Sequence, residues 1–136
     1  VADAIEIRFT PESLVAVSAS TMQSLEWCRG KKTWLVSGIG NRESFHRSVV
    51  SLGVEIIGET AFKDHHRYHD DDVRRVRTEA QAACVDMVLT TEKDAGKLQP
   101  FLTPDDSWWA LRIRAEIMRG EDRLRGLVMD RGARSA

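Results

Sequence analysis

The sequence predicts an α/β domain built on a Rossmann-like parallel sheet of about four strands with flanking helices, preceded by a short two-stranded linker. Three observations predict it. The apolar runs TWLVS (33–37) and DMVLT (86–90) have the nearly continuous hydrophobicity of strands buried on both faces of a parallel sheet. They alternate with stretches of about 10 to 15 residues that carry helical periodicity. A polar turn bearing glycine or threonine follows these strands and leads into a helix.

Ile5 to Phe9 alternates apolar and polar residues, and Leu14 to Val17 resumes an apolar run. Pro11 and Glu12 are expected to break the two apart, giving a hairpin arm. Ser24 to Lys32 reads as a short helix or turn stopped at Gly30. Thr33 to Ser37 is the first buried strand, and Arg42 to Leu52 a helix with Phe45, Val49 and Leu52 inward, ending at Gly53. Val54 to Ile57 is the next strand, with Gly58 and a polar stretch after it. Asp70 or Asp71 is expected to cap a helix with Val73, Val76, Ala80 and Ala83 on one side and Arg74, Arg75 and Arg77 outward. Asp86 to Thr90 is a third strand. Thr90 or Thr91 caps a short helix through Leu98, with Glu92 and Asp94 near its positive end. Trp108 to Ile113 is a fourth strand, and Arg119 to Met129 a last helix with Leu124, Leu127 and Val128 on one face. The expected organisation is a linker hairpin and short helix over residues 1–30, then an α/β domain over residues 31–136.

Composition narrows the function classes. The 20 Lys and Arg are matched by 21 Asp and Glu, so no nucleic-acid-binding tail is expected. Cys28 and Cys84 fit no metal or redox spacing and read as small buried hydrophobes. No apolar run approaches the roughly 20 residues that cross a bilayer, so any membrane role is expected to be peripheral. The chain opens at Val1 and passes almost directly into a strand, and it is expected to be a piece of a longer protein.

Chemistry concentrates in AFKDHHRYHDDD (61–72), which holds three of the four histidines and the only tyrosine. Asp64 stands directly before His65 and His66, a pairing suited to proton transfer or metal ligation near neutral pH. The alternative is a polar loop whose aspartates cap the next helix. Gly38-Ile39-Gly40-Asn41 can bring backbone N–H groups to an anion, or it can simply be a tight strand-to-helix turn capped by Asn41. It is not the dinucleotide fingerprint, because Glu43 holds the third glycine position, and no GxxxxGK[ST] occurs in the chain. In Thr90-Thr91-Glu92-Lys93-Asp94, Lys93 can neutralise a phosphate or join a solvated ion-pair face. DHH also marks a class of manganese phosphoesterases, whose other aspartate motifs and glycine-rich histidine motif do not occur here. The basic residues Arg119, Arg123, Arg125, Arg131 and Arg134 suit either an anionic lipid surface or the solvated face of a packed helix. In open parallel sheets, loops after the C-terminal strand ends share one ligand-binding edge, so the glycine turn, the histidine loop and the TTEKD corner are expected to meet.

Taken together, SGIGN with Glu43 and Phe45, then AFKDHHRY, then LTTEKDAGKL resembles the C-terminal part of tetraacyldisaccharide 4'-kinase, the lipid A 4'-kinase of Gram-negative bacteria. The resemblance runs from about Ile5 to the last helix. It implies that a P-loop kinase domain, absent from this chain, binds ATP and Mg²⁺. The γ-phosphate would pass to the 4'-hydroxyl of a tetraacylated glucosamine disaccharide at the cytoplasmic face of the inner membrane. It implies that His65 acts across the domain cleft with an aspartate of the kinase domain, with Asp64, His66 and Tyr68 supporting it or lining the cleft. Gly38, Gly40, Asn41, Thr90, Thr91 and Lys93 would face substrate or phosphate. The sequence departs from the family pattern at Arg42, Lys63 and Arg67, which replace prolines, at His46, which replaces a phenylalanine, and at Gly96, which replaces a larger residue. A docking module that binds an anion without chemistry is the non-enzymatic alternative.

Overall fold

The computed structural model describes residues 5–38, 40 and 42–119. Six strands form one sheet: β1 (Ile5–Ala16), β2 (Met22–Gln23), β3 (Lys32–Gly38), β4 (Glu55–Phe62), β5 (Met87–Thr91) and β6 (Trp108–Arg119), in the order β2-β1-β6-β5-β3-β4. Among the described residues, three α-helices alternate with the later strands: α1 (Arg42–Val50), α2 (Asp70–Ala82) and α3 (Glu92–Leu98). The chain divides into two compact units, Pro11–Arg112 and a second made of Val1–Thr10 with Ile113–Ala136.

In the larger unit, β4, β3, β5 and β6 run parallel, as the alternating pattern predicts. The chain moves from β3 outward to β4, then returns to the other side of β3 to lay down β5 and β6. The switch point of the sheet therefore lies between β3 and β5. Apolar content explains the central strands: Leu35, Val36, Val88 and Leu89 are all buried. One face is covered by α2, whose Val73, Val76 and Ala80 recur at helical spacing and pack with Val36, Val88, Trp108 and Leu98. Burying each such valine contributes roughly 1.5–3 kcal/mol. Phe45 and Val49 of α1 are buried too, and the right-handedness of parallel crossovers places that helix on the opposite face.

Several elements differ from the sequence expectation. Pro11 does not interrupt β1, which runs unbroken from Ile5 to Ala16. Its φ suits extended backbone, and β2 pairs only with Leu14 and Val15, leaving Pro11 beyond the reach of that ladder. β4 passes through Gly58 to Phe62 instead of stopping at Ile57, so Ala61 and Phe62 belong to a strand. Gly58 is needed there because a Cβ would lie 2.7 Å from Cη2 of Trp34, whose Nε1 donates to Thr60 Oγ1 at 2.9 Å. The register shifts at this point, Thr33 pairing with Ile56 and Trp34 with Gly58, which makes Ile57 the extra residue of a bulge. α1 ends at Val50, and Leu52 is buried from the following turn, where Gly53 takes φ +80°.

Cys28 is buried as expected, but Cys84 is exposed, at φ +57° in the turn after α2. Arg77 does not simply face solvent. Its Nε and Nη2 donate to the two carboxylate oxygens of Asp106, both at 2.9 Å, tying α2 to the loop before β6. Arg119 closes β6 instead of opening a helix. The rest of that expected helix, with Leu124, Leu127, Val128 and the arginines 123, 125, 131 and 134, lies outside the described residues. In the smaller unit, the described parts of β1 and β6 expose Ile7, Phe9 and Ile117. No described helix is long and apolar enough to cross a membrane.

Candidate active site

The three turns expected to share an edge are held together by one side chain. Asp94, buried in the first turn of α3, accepts from the Gly38 N–H through Oδ2 at 3.2 Å and from the Tyr68 hydroxyl through Oδ1 at 3.2 Å. Its Oδ2 also accepts from Thr91 Oγ1 at 2.8 Å, and that hydroxyl in turn caps α3 by accepting from the Asp94 N–H at 3.0 Å. The end of β3, the histidine loop and the head of α3 therefore meet at the switch point. Burial first, and then the adjacent Asp94 carboxylate, push the Tyr68 phenol far above its ordinary value.

The histidine loop leaves β4 through a turn closed by a hydrogen bond from His66 N–H to the Lys63 carbonyl, 3.0 Å. His65 occupies the third position of that turn at φ +60°, a conformation ordinarily left to glycine or asparagine. A non-glycine residue held there stores strain of about 1–3 kcal/mol, and such outliers cluster at functional sites. Its imidazole is exposed. Asp64, also exposed, does not orient His65 by any hydrogen bond among the described residues. Its carboxyl instead crowds Gly40, where an added Cβ would sit 3.0 Å from the Asp64 Cγ.

The imidazole that a carboxylate does orient is His66, with Nε2 2.9 Å from Asp72 Oδ2. In the neutral ring this assigns the proton to Nε2. The ring stacks on Phe62 at 4.8 Å and meets Tyr68 edge-on at 5.1 Å. Asp72 also accepts from the His69 N–H at 2.9 Å, so the N-cap of α2 is His69, and Asp70 and Asp71 are first-turn residues. Burial raises the Asp72 value, but the bonds from His66 and the His69 N–H outweigh it and hold the carboxyl below the ordinary aspartate range.

The remaining sequence candidates are placed as follows. The Gly38 amide is occupied by Asp94 and is not free for a phosphate. Thr90 is fully buried, its hydroxyl without a partner among the described residues, while Thr91 serves as the α3 cap. Lys93 is exposed, and Gly40 is exposed beside Asp64. Asn41 lies outside the described residues. No three His, Cys, Asp or Glu side chains among the described residues gather as metal ligands, so Asp64, His65 and His66 do not form the manganese set that DHH suggests. Among the described residues the Gly38 amide is already held by Asp94, and the Asp64 and Asp94 carboxylates disfavour a triphosphate at this corner. Two cavities lined by described residues lie elsewhere. One, of about 180 Å³, opens at the N-terminal strand ends beside Arg77, Asp86 and Trp108, and the other, of about 220 Å³, lies between α3 and Val15–Val17.

Asp94 and Asp72 were missed by sequence reasoning as site-building residues, because each reads as an acidic residue favouring a helix N-terminus. The available signal was spacing. Asp94 stands four residues before the buried Leu98, on the inward face of α3.

Tetraacyldisaccharide 4'-kinase of Anaeromyxobacter sp. (strain Fw109-5) is 37% identical over 138 residues, covering 95% of this chain and 37% of that protein. The same-named protein of Syntrophus aciditrophicus is 36% identical over 91 residues, covering 67% of this chain and 24% of its own length. The chain thus spans about a third or less of the curated relatives it matches. Among solved structures, an "apo" form of LpxK from Aquifex aeolicus in complex with ATP superposes with a TM-score of 0.57 at 19% identity, over 89% of this chain and 34% of that one. That likeness supports the α/β fold. The family model for tetraacyldisaccharide-1-P 4'-kinase matches residues 2–132, nearly the whole sequence, and the chain belongs to that family.

Proposed function

We propose that these residues form the C-terminal part of an ATP-dependent lipid kinase. It phosphorylates the 4'-hydroxyl of a tetraacyldisaccharide 1-phosphate in lipid A biosynthesis, and His65 is the histidine this part supplies. The observation that carries the assignment is the backbone of His65: an exposed imidazole at the tip of a tight turn, in a glycine-type conformation, on the sheet edge where three turns converge. Phosphoryl transfer depends mostly on positioning and charge stabilisation, and the attacking sugar hydroxyl needs a proton acceptor. A neutral imidazole there supplies one, typically contributing about 10²–10⁴ in rate.

His66, fixed by Asp72 and packed between Phe62 and Tyr68, supports the turn that carries His65. Lys93 and the backbone at Gly40 offer exposed contacts along the same edge. The nucleotide and Mg²⁺ are assigned to a P-loop portion outside these residues, so the isolated chain is expected to be inactive. The acceptor's acyl chains imply peripheral contact with the cytoplasmic face of the inner membrane.

The test is steady-state phosphorylation of the lipid acceptor by the complete reading frame that carries these residues. His65→Ala should lower kcat by about 10²–10⁴ with KM for ATP little changed. Wild-type turnover in that variant would refute the assignment and favour a docking role. Manganese-dependent cleavage of a phosphodiester would favour the phosphoesterase alternative.

A further inference from the structure

We propose that Asp94 is a positioning residue for this site: its buried carboxylate fastens the turn after β3, the histidine loop and the head of α3 into one rigid edge, and thereby fixes where the His65 turn sits. The reaction it would serve is the one given under Proposed function, on which this inference rests. Asp94 is only 4% exposed, and its polar partners among the described residues are the Gly38 amide, the Tyr68 phenol and the Thr91 hydroxyl. None of these is a cation. Burying a carboxylate without a cationic partner costs several kcal/mol, and an apolar side chain could fill the same corner of α3 at less cost. What the carboxylate adds is directional: two oxygens hold donors from three separate segments.

The Asp94 side chain also departs from the usual N3 acid of a capping box, which reaches back to its own N-cap amide. Asp72 does so in α2. Asp94 instead crosses the switch point to Gly38, 56 residues away in sequence. From Tyr68 the linkage continues to the rings of His66 and Phe62, at 5.1 and 5.0 Å, and through His66 to Asp72. His66 closes the turn on which His65 stands. A displacement of Asp94 is therefore transmitted to the histidine turn, and a misplacement of about 1 Å in a reacting group can cost 10²-fold in rate.

The test compares wild type, Asp94→Asn, Asp94→Glu, Tyr68→Phe and the Tyr68→Phe/Asp94→Asn pair in the complete reading frame. Asp94→Asn should lower kcat by about 10- to 100-fold with KM for ATP changed less than about 3-fold, because the nucleotide is held elsewhere. Exchange of the Gly38 amide should accelerate by about 10-fold or more. The ring resonances of His66 should move while the far-UV circular dichroism stays that of the wild type. Asp94→Glu, which keeps the charge but shifts the oxygens, should not restore kcat. The double variant should be no slower than Asp94→Asn alone, since both changes cut one linkage.

Wild-type kcat in Asp94→Asn, additive losses in the double variant, or unchanged Gly38 exchange and His66 resonances would each overturn the proposal. If Asp94→Asn does not fold, Tyr68→Phe decides. It should shift the His66 resonances and lower kcat, and wild-type values in both refute the linkage. If the wild-type protein itself lacks kinase activity, the reading of function fails, whereas the exchange and resonance measurements still decide whether Asp94 positions the histidine turn.

Discussion

The Gly38 amide donates to the Asp94 carboxylate at 3.2 Å across the switch point of the sheet. Doubly wound folds commonly bind ligands in the crevice at that point, with free backbone amides facing the ligand. Here the Asp94 side chain, from the head of α3, takes that amide. The exposed turn carrying His65 lies at the same edge.

Gly38 and Gly58 should respond unequally to alanine. Nothing lies within 4 Å of a Cβ built on Gly38, and its φ is not positive, so Gly38→Ala should change stability by less than about 1 kcal/mol. Gly58→Ala drives a methyl into the Trp34 indole and should cost about 1–3 kcal/mol. Urea denaturation followed by tryptophan fluorescence measures both. Equal destabilisation of the two variants would contradict the β3–β4 register described here.

The backbone of His65, at φ +60°, costs stability. His65→Gly should be more stable than His65→Ala by about 1 kcal/mol, because glycine adopts φ +60° without steric cost. Both should lose phosphotransfer in the complete reading frame. A glycine variant less stable than the alanine one in denaturant midpoint would show that the turn is not held in the left-handed conformation.

The Arg77–Asp106 pair should impose an acid limit on stability. Burial raises the Asp106 carboxyl, but Arg77 and the Thr103 N–H together bring it below the ordinary range. A folded-state value below the unfolded value of about 3.9 adds stability above that pH, and the contribution is lost as pH falls through the folded-state value. Asp106→Asn should therefore cost about 1.5–3 kcal/mol at pH 7 and progressively less below about pH 4. Denaturation midpoints from pH 3 to 7 check this, and a pH-independent difference would rule it out.

Asp72 serves the N-cap of α2 and His66 at once. Asp72→Ala should destabilise the fold by about 1–2 kcal/mol, as loss of a cap does. It should also release the His66 ring, seen as altered Nε2 and Nδ1 shifts in a nitrogen-detected histidine spectrum. A His66 spectrum identical to wild type would show that the carboxylate does not orient the ring.

The parallel core was legible because its signal is local: TWLVS and DMVLT are apolar enough to be strands wherever they are placed, and Val73, Val76 and Ala80 recur at helical spacing. The Thr91 cap was legible for the same reason. The sequence alone ends β4 before Gly58, because a glycine within a strand and a glycine ending one look alike without the Trp34 indole above it. The break expected at Pro11 is absent because proline's fixed φ fits an extended strand, and the ladder to β2 reaches only Leu14 and Val15. Cys84 followed neighbours that suggested burial, but the turn after α2 faces it outward.

The alternation of strands and helices, the three polar turns after the strands and the residue types suited to chemistry near neutral pH can be read from the chain alone, because periodicity and side-chain chemistry are properties of short stretches. Which acid serves which partner emerges only once the chain is folded. Asp64 stands next to His65 in sequence yet crowds Gly40, Asp72 holds His66, and Asp94 joins Gly38, Tyr68 and Thr91. The physical reason is that a hydrogen bond acts over about 3 Å and depends on direction, so its partners are set by how the strands are ordered in space and not by distance along the chain.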